Sequence, residues 1–123
     1  MTEADYISEI ERRWPSRCPG EPTRETIHLT KKAVEIFPKS AKLWVMRGNL
    51  LQLIDFECDI PLGESEYCYR QAIAADHFFA EAYEEMGYFL DVIMGKPRKA
   101  KRFFDKARRL KRSRQKYNRV IAA

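Results

Sequence analysis

No run of about 18 apolar residues occurs in this chain, so nothing in it reads as a membrane-spanning helix. The opening Met1-Thr2-Glu3-Ala4-Asp5 is acidic and lacks the apolar core of a secretory signal, which gives the expectation of a cytoplasmic protein with no membrane partner. Cysteine is sparse. Cys18, Cys58 and Cys68 are widely spaced, form no Cys-x-x-Cys pair and fit reduced thiols, with Cys68 acting as a small apolar residue. Neither His28 nor His77 completes a metal-ligand spacing, so no metal and no cofactor is expected. His28, close to Lys31 and Lys32, reads as a surface side chain and His77 as part of a turn. A glycine-rich phosphate loop and a Ser/His/Asp grouping are missing too, so the expectation is a protein that is not an enzyme. Period-two alternation occurs nowhere, which leaves an all-α chain.

What is present is a strong division of charge. At 123 residues the chain reads as one domain, 1–123, able to bury roughly two-thirds of its unfolded surface. The overall charge of +5 conceals its two ends. Residues 1–95 hold 10 Lys/Arg against 17 Asp/Glu, whereas residues 96–123 hold 13 Lys/Arg against Asp105 alone. An acidic body with a basic end implies a polyanionic partner for that end, or a contact between the two parts.

Six helices are expected. The first runs from about Glu3 to Trp14, with Thr2 as cap and Asp5 placed for a capping box, and Pro15, Pro19, Gly20 and Pro22 then make a stiff connector. Thr23 caps a second helix to about Phe37, stopped by Pro38, and Ser40 caps a third over about 41–54. After a loop with Pro61 and Gly63, a fourth covers roughly 62–76 and a fifth about 79–94. Gly95 ends the fifth, and Pro97 opens a sixth that can run to Ile121.

Two figures recur along these helices. Ala41-Lys42-Leu43-Trp44-Val45-Met46-Arg47-Gly48 is echoed by Ala80-Glu81-Ala82-Tyr83-Glu84-Glu85-Met86-Gly87. Thr26/Thr30/Ala33, Ser65/Tyr69/Ala72 and Ala100/Phe104/Ala107 repeat at intervals of 39 and 35 residues. Periods of this size signal stacked supersecondary units. The residues resemble the tetratricopeptide repeat (TPR), whose signature is W-x2-L-G-x2-Y, then A-x3-F, then P. Here Trp44-x2-Arg47-Gly48-x2-Leu51 and Tyr83-x2-Met86-Gly87-x2-Leu90 match its first part, and the closing proline is Pro38, replaced by His77 in the next copy. Arg47 stands where the family favours leucine, about five extra residues lie around 55–64, and about one lies near 95. The resemblance implies a TPR-like helical-hairpin superhelix. Residues 1–23 would be a degenerate leading helix and connector, 24–111 the repeat core, and 112–123 a basic helical extension.

The resemblance also implies a non-catalytic protein–protein interaction scaffold with a concave groove. By position that groove takes Lys42, Val45, Asn49 and Gln52 from one repeat and Glu81, Glu84, Tyr88 and Asp91 from the next. Only Lys42 and Asn49 fit the carboxylate clamp of the family's peptide readers, so a basic or amphipathic peptide segment is the expected partner. The acids around Tyr88 suit it, with tyrosine stacking on Arg or Lys. The alternative is nucleic-acid or polyanion binding by Arg108, Arg109, Lys111 and Arg112 with Arg114, Lys116 and Arg119, where interleaved Tyr117 and Asn118 suit base stacking. Repeat arrays need a polar cap. Tyr117, Val120 and Ile121 past Leu110 therefore imply that the tail folds back or that a homodimer forms through the last helix.

Overall fold

Three helix starts are fixed by side-chain caps. Thr2 Oγ1 accepts from the Asp5 amide while Asp5 Oδ2 accepts from the Thr2 amide at 2.8 Å, a complete capping box. Thr23 Oγ1 accepts from the Thr26 amide, and Ser40 Oγ from the Leu43 amide. The computed structural model describes residues 1–16, 20–55 and 58–122; Cys18 and Pro19 of the expected connector, and part of the 55–64 loop, lie outside these. Among the described residues there is no strand, and the helices are α1 (Glu3–Arg12), α2 (Arg24–Ile36), α3 (Ala41–Leu51), α4 (Gly63–Ala75), α5 (Ala80–Tyr88) and α6 (Pro97–Ala122).

The chain neighbours pack as pairs, most extensively α3 on α4 and α5 on α6. One apolar cluster joins α1 to α5 through Tyr6, Ile10, Ile27, Leu43, Leu50, Cys68 and Ala82. A second joins α4, α5 and α6 through Tyr69, Met86, Phe89, Leu90 and Ala100. Ala33, Ala72 and Ala107, the closing members of the repeated figure, are all buried.

The repetition extends to single hydrogen bonds. Trp44 Nε1 donates to the Pro38 carbonyl at 2.8 Å, and Tyr83 Oη donates to the His77 carbonyl at 3.0 Å. Each donor reaches back six residues, so His77 serves as well as Pro38, because only its carbonyl is used. The glycines repeat in the same way. A Cβ on Gly48 would stand 2.6 Å from Tyr69 Cε1, and one on Gly87 2.7 Å from Phe104 Cε1. The crossings are therefore glycine against an aromatic ring; the small residue opposite Gly48 plays a different part, with Ser65 Oγ donating to the Gly48 carbonyl at 3.1 Å.

Arg47, the departure from the leucine of the resembled pattern, is buried at 5% exposure. Its Nη1 donates to the Ile27 carbonyl and to Thr30 Oγ1, tying α3 to α2. α3 ends at Leu51, three residues before the expected 54. α5 passes into a π turn over Phe89–Ile93, with the Met94 amide on the Phe89 carbonyl at 3.1 Å. A π turn absorbs one residue without ending a helix. This is where the spacing carries its single extra residue. Gly95 at φ 63° then reverses the chain into α6, which runs unbroken to Ala122, so the tail does not fold back.

Candidate functional site

The face of α5 carries the acids, and α6 lies antiparallel to it. Gly87 meets Phe104, Glu84 meets Lys111 and Glu81 meets Arg114, in reversed order along the two helices. Lys111 Nζ donates to Glu84 Oε2 at 2.5 Å, and Arg114 Nη2 to Glu81 Oε1 at 3.2 Å. The acidic body and the basic end thus touch within one chain. Each pair is roughly a third or more exposed, so each contributes under ~1 kcal/mol. The Lys111 amine is held above its ordinary pKa by that hydrogen bond. Glu81 Oε2 is buried with no hydrogen-bond partner among the described residues.

Beyond these pairs the face opens. Tyr88, 51% exposed, packs edge-on against Phe104 with centroids 5.0 Å apart, and Asp91 is exposed on the π turn. With Glu84, Pro97, Lys101 and Arg108 they line a shallow depression of about 430 Å³. The half-buried Glu85, absent from the residues picked out by sequence, has its carboxyl pKa raised by burial and then by Glu84.

The α3 half of the expected groove is placed differently. Lys42 is exposed, but Val45 is only 6% exposed and offers no open surface, because α3 is packed on nearly all its sides. Asn49 and Gln52 are half-buried and engaged with one hydroxyl: Tyr69 Oη donates to Asn49 Oδ1 at 2.6 Å and accepts from Gln52 Nε2. Their amides hold the ring that fills the Gly48 crossing. Of the eight expected groove residues, Glu84, Tyr88 and Asp91 are brought together around one opening.

The seven cations expected on the last helix fall into two sets. Lys111 and Arg114 face α5. Arg108, Arg109, Arg112, Lys116 and Arg119 are exposed; Arg108 pairs with Asp105, while the other four have no ion pair among the described residues. Asp105, Arg108, Arg109 and Arg112 border a second open depression of about 550 Å³. Arg98, Lys101 and Arg102, within the basic helix 98–119 expected for a polyanion but not singled out as site residues, are exposed on the same helix. The available signal was the run Arg98, Lys101, Asp105, Arg108 and Arg112, whose alternating offsets of three and four place charged side chains along one helix face.

Elsewhere, His28 and His77 are exposed, and among the described residues no three His, Cys, Asp or Glu side chains stand together as a metal site. No helix among them is long and apolar enough to cross a membrane. No protein-family model matches the chain, and no curated protein matches it.

Proposed function

We propose that this chain is a non-catalytic interaction module of TPR-like helical hairpins that takes a basic or amphipathic segment of a partner protein on the α5 face. The observation that carries this reading is the opening at Tyr88 and Asp91, an exposed ring beside an exposed carboxylate at a π turn. Two acids of the same face already hold cations from one helix, Lys111 and Arg114, three residues apart. Asp91 is exposed and has no ion pair among the described residues, so a partner's Lys or Arg meets the same chemistry there, with Tyr88 available for cation–π stacking. The matching glycine–ring crossings and back-donated hydrogen bonds of the two hairpins support the family reading.

The test is titration of labelled helical peptides rich in Lys and Arg against the wild type, Tyr88→Ala and Asp91→Lys. Binding that falls at least tenfold in both variants supports the site. Peptides bound equally by all three proteins would remove the α5 face from consideration.

A second reading, binding of a polyanion by α6, is favoured by a separate observation: the cations at Arg109, Arg112, Lys116 and Arg119 are exposed and unpaired among the described residues. Counter-ions released from a polyanion by such a row drive association strongly at low salt.

A further inference from the structure

α6 has one packed side and one bare side. Ala100 and Ala107 are buried against the body, with Phe103, Phe104 and Lys111 half-buried beside them. At 3.6 residues per turn, about 100° per residue, the opposite side is occupied almost wholly by cations. Its first half presents Arg98, Lys101, Arg102 and Arg108. Its second half presents Arg109, Arg112, Lys116 and Arg119, and Asp105 is the one acid along the whole line. From Arg98 to Arg119 the line is about 32 Å long at 1.5 Å per residue, close to the ~34 Å turn of a nucleic-acid duplex.

From this placement we infer that the outward ridge of α6 binds the phosphate backbone of double-stranded nucleic acid, without reading its sequence. The inference rests on the polyanion reading of α6 and narrows it in three respects. Six of the eight ridge cations are arginines, whose planar fork fits two phosphate oxygens at once. Tyr117 is exposed, but it falls about 80° around the helix from Arg109 and about 100° from Lys116, outside the arc of the ridge, so base stacking is not aligned with the cations and a single strand gains nothing over a duplex. A membrane surface is disfavoured by the same geometry. A helix binding a bilayer buries its apolar side there, and the apolar side of α6 through Leu110 is turned onto α5. Lys111 and Arg114, held by Glu84 and Glu81, are outside the ridge.

The experiment is fluorescence anisotropy with labelled DNA and RNA duplexes of about 20 base pairs, their single strands, polyglutamate and anionic vesicles, at about 50 and 200 mM salt. A straight helix follows a curved backbone over part of its length, so about five phosphates are engaged, for a log–log salt slope of about −4.5 and a ~500-fold loss over that range. Replacing Arg109, Arg112 and Lys116 together by glutamine lowers the slope to about −1.8, a ~12-fold loss. Lys111→Gln with Arg114→Gln, and Tyr117→Ala, leave duplex affinity within about threefold, since none lies on the ridge. All these side chains are at least partly exposed, and an unchanged helical circular-dichroism spectrum certifies each variant as folded. Tighter binding of single strands, with loss in Tyr117→Ala, overturns the duplex assignment. So does binding of polyglutamate or vesicles without binding of duplex, although the polyanion reading then stands. Wild-type affinity in the triple-glutamine variant overturns the ridge. Absence of binding to every probe at low salt defeats the inference and the polyanion reading together.

Discussion

Gly48→Ala is expected to destabilise the protein although alanine is the better helix former. Alanine in place of glycine inside a helix contributes up to ~1 kcal/mol. Against this, the new Cβ would lie 2.6 Å from Tyr69 Cε1 and 3.0 Å from Cζ, closer than real side chains approach. Tyr69 cannot give way easily, since its ring is fully buried and its hydroxyl is held by both Asn49 and Gln52. Overpacking of this kind costs about 1–3 kcal/mol, and a ring pinned in this way puts Gly48→Ala in the upper half of that range. The net loss is about 1–2 kcal/mol, a fall of about 4–8 °C in Tm for a domain of this size. Gly87→Ala meets Phe104 at 2.7 Å, but that ring is only half-buried and can swing outward, so the loss stays within about 1 kcal/mol. Urea denaturation followed by circular dichroism measures both. Tyr69→Leu in the Gly48→Ala background completes the cycle, with a combined effect smaller than the sum by about 1 kcal/mol. A Gly48→Ala protein as stable as wild type, or a Gly87→Ala protein that loses as much, would refute the reasoning.

The remaining predictions concern stability, titration, reactivity and assembly. Arg47→Met stays within about 1 kcal/mol of wild type, because Thr30 Oγ1 itself donates to the Ile27 carbonyl and no buried donor is orphaned, whereas Arg47→Ala opens a cavity and loses about 2–4 kcal/mol by the same denaturation assay. Glu85 has its carboxyl pKa raised above 4.5 by burial and then by Glu84. The folded state therefore holds that proton more tightly than the unfolded one, and stability is lost as pH rises through the folded value. Glu85→Gln should raise the urea midpoint at pH 7, the gain vanishing below about pH 4; a gain that persists in acid would contradict this. Burial pushes the Cys68 thiol up to about 12, so in a Cys18→Ser variant a thiol reagent should label exposed Cys58 quickly and Cys68 only on unfolding; two fast thiols would show the α3–α4 core to be open. If a second copy covers Tyr117, Val120 and Ile121, light scattering gives a dimer mass that Ile121→Asp reduces to the monomer, and a wild type monomeric at every concentration rules this arrangement out.

The helices were legible in the sequence because their determinants are local. Thr2 with Asp5, Thr23 and Ser40 each satisfy an amide within three residues, and Pro38, Gly95 and Pro97 act on the backbone beside them. The recurrence of Gly48 and Gly87 was equally plain, since close helix crossings demand small residues at a fixed interval. The partner of each glycine was not. Only packing could bring Tyr69 and Phe104 into those spaces and use Asn49 and Gln52 to hold the first, removing two expected groove amides from the surface.

Periodicity, caps and a count of charges are enough to establish an all-α chain with an acidic body and a basic end. Tertiary structure decided which charges face one another. Along α6 every cation looks alike in a linear reading, but burial of Ala100 and Ala107 fixes how the helix is rotated. That rotation gives Lys111 and Arg114 to the acids of α5 and leaves Arg109, Arg112, Lys116 and Arg119 in solvent. A helix carries its side chains all the way round, and only what it packs against says which of them are free.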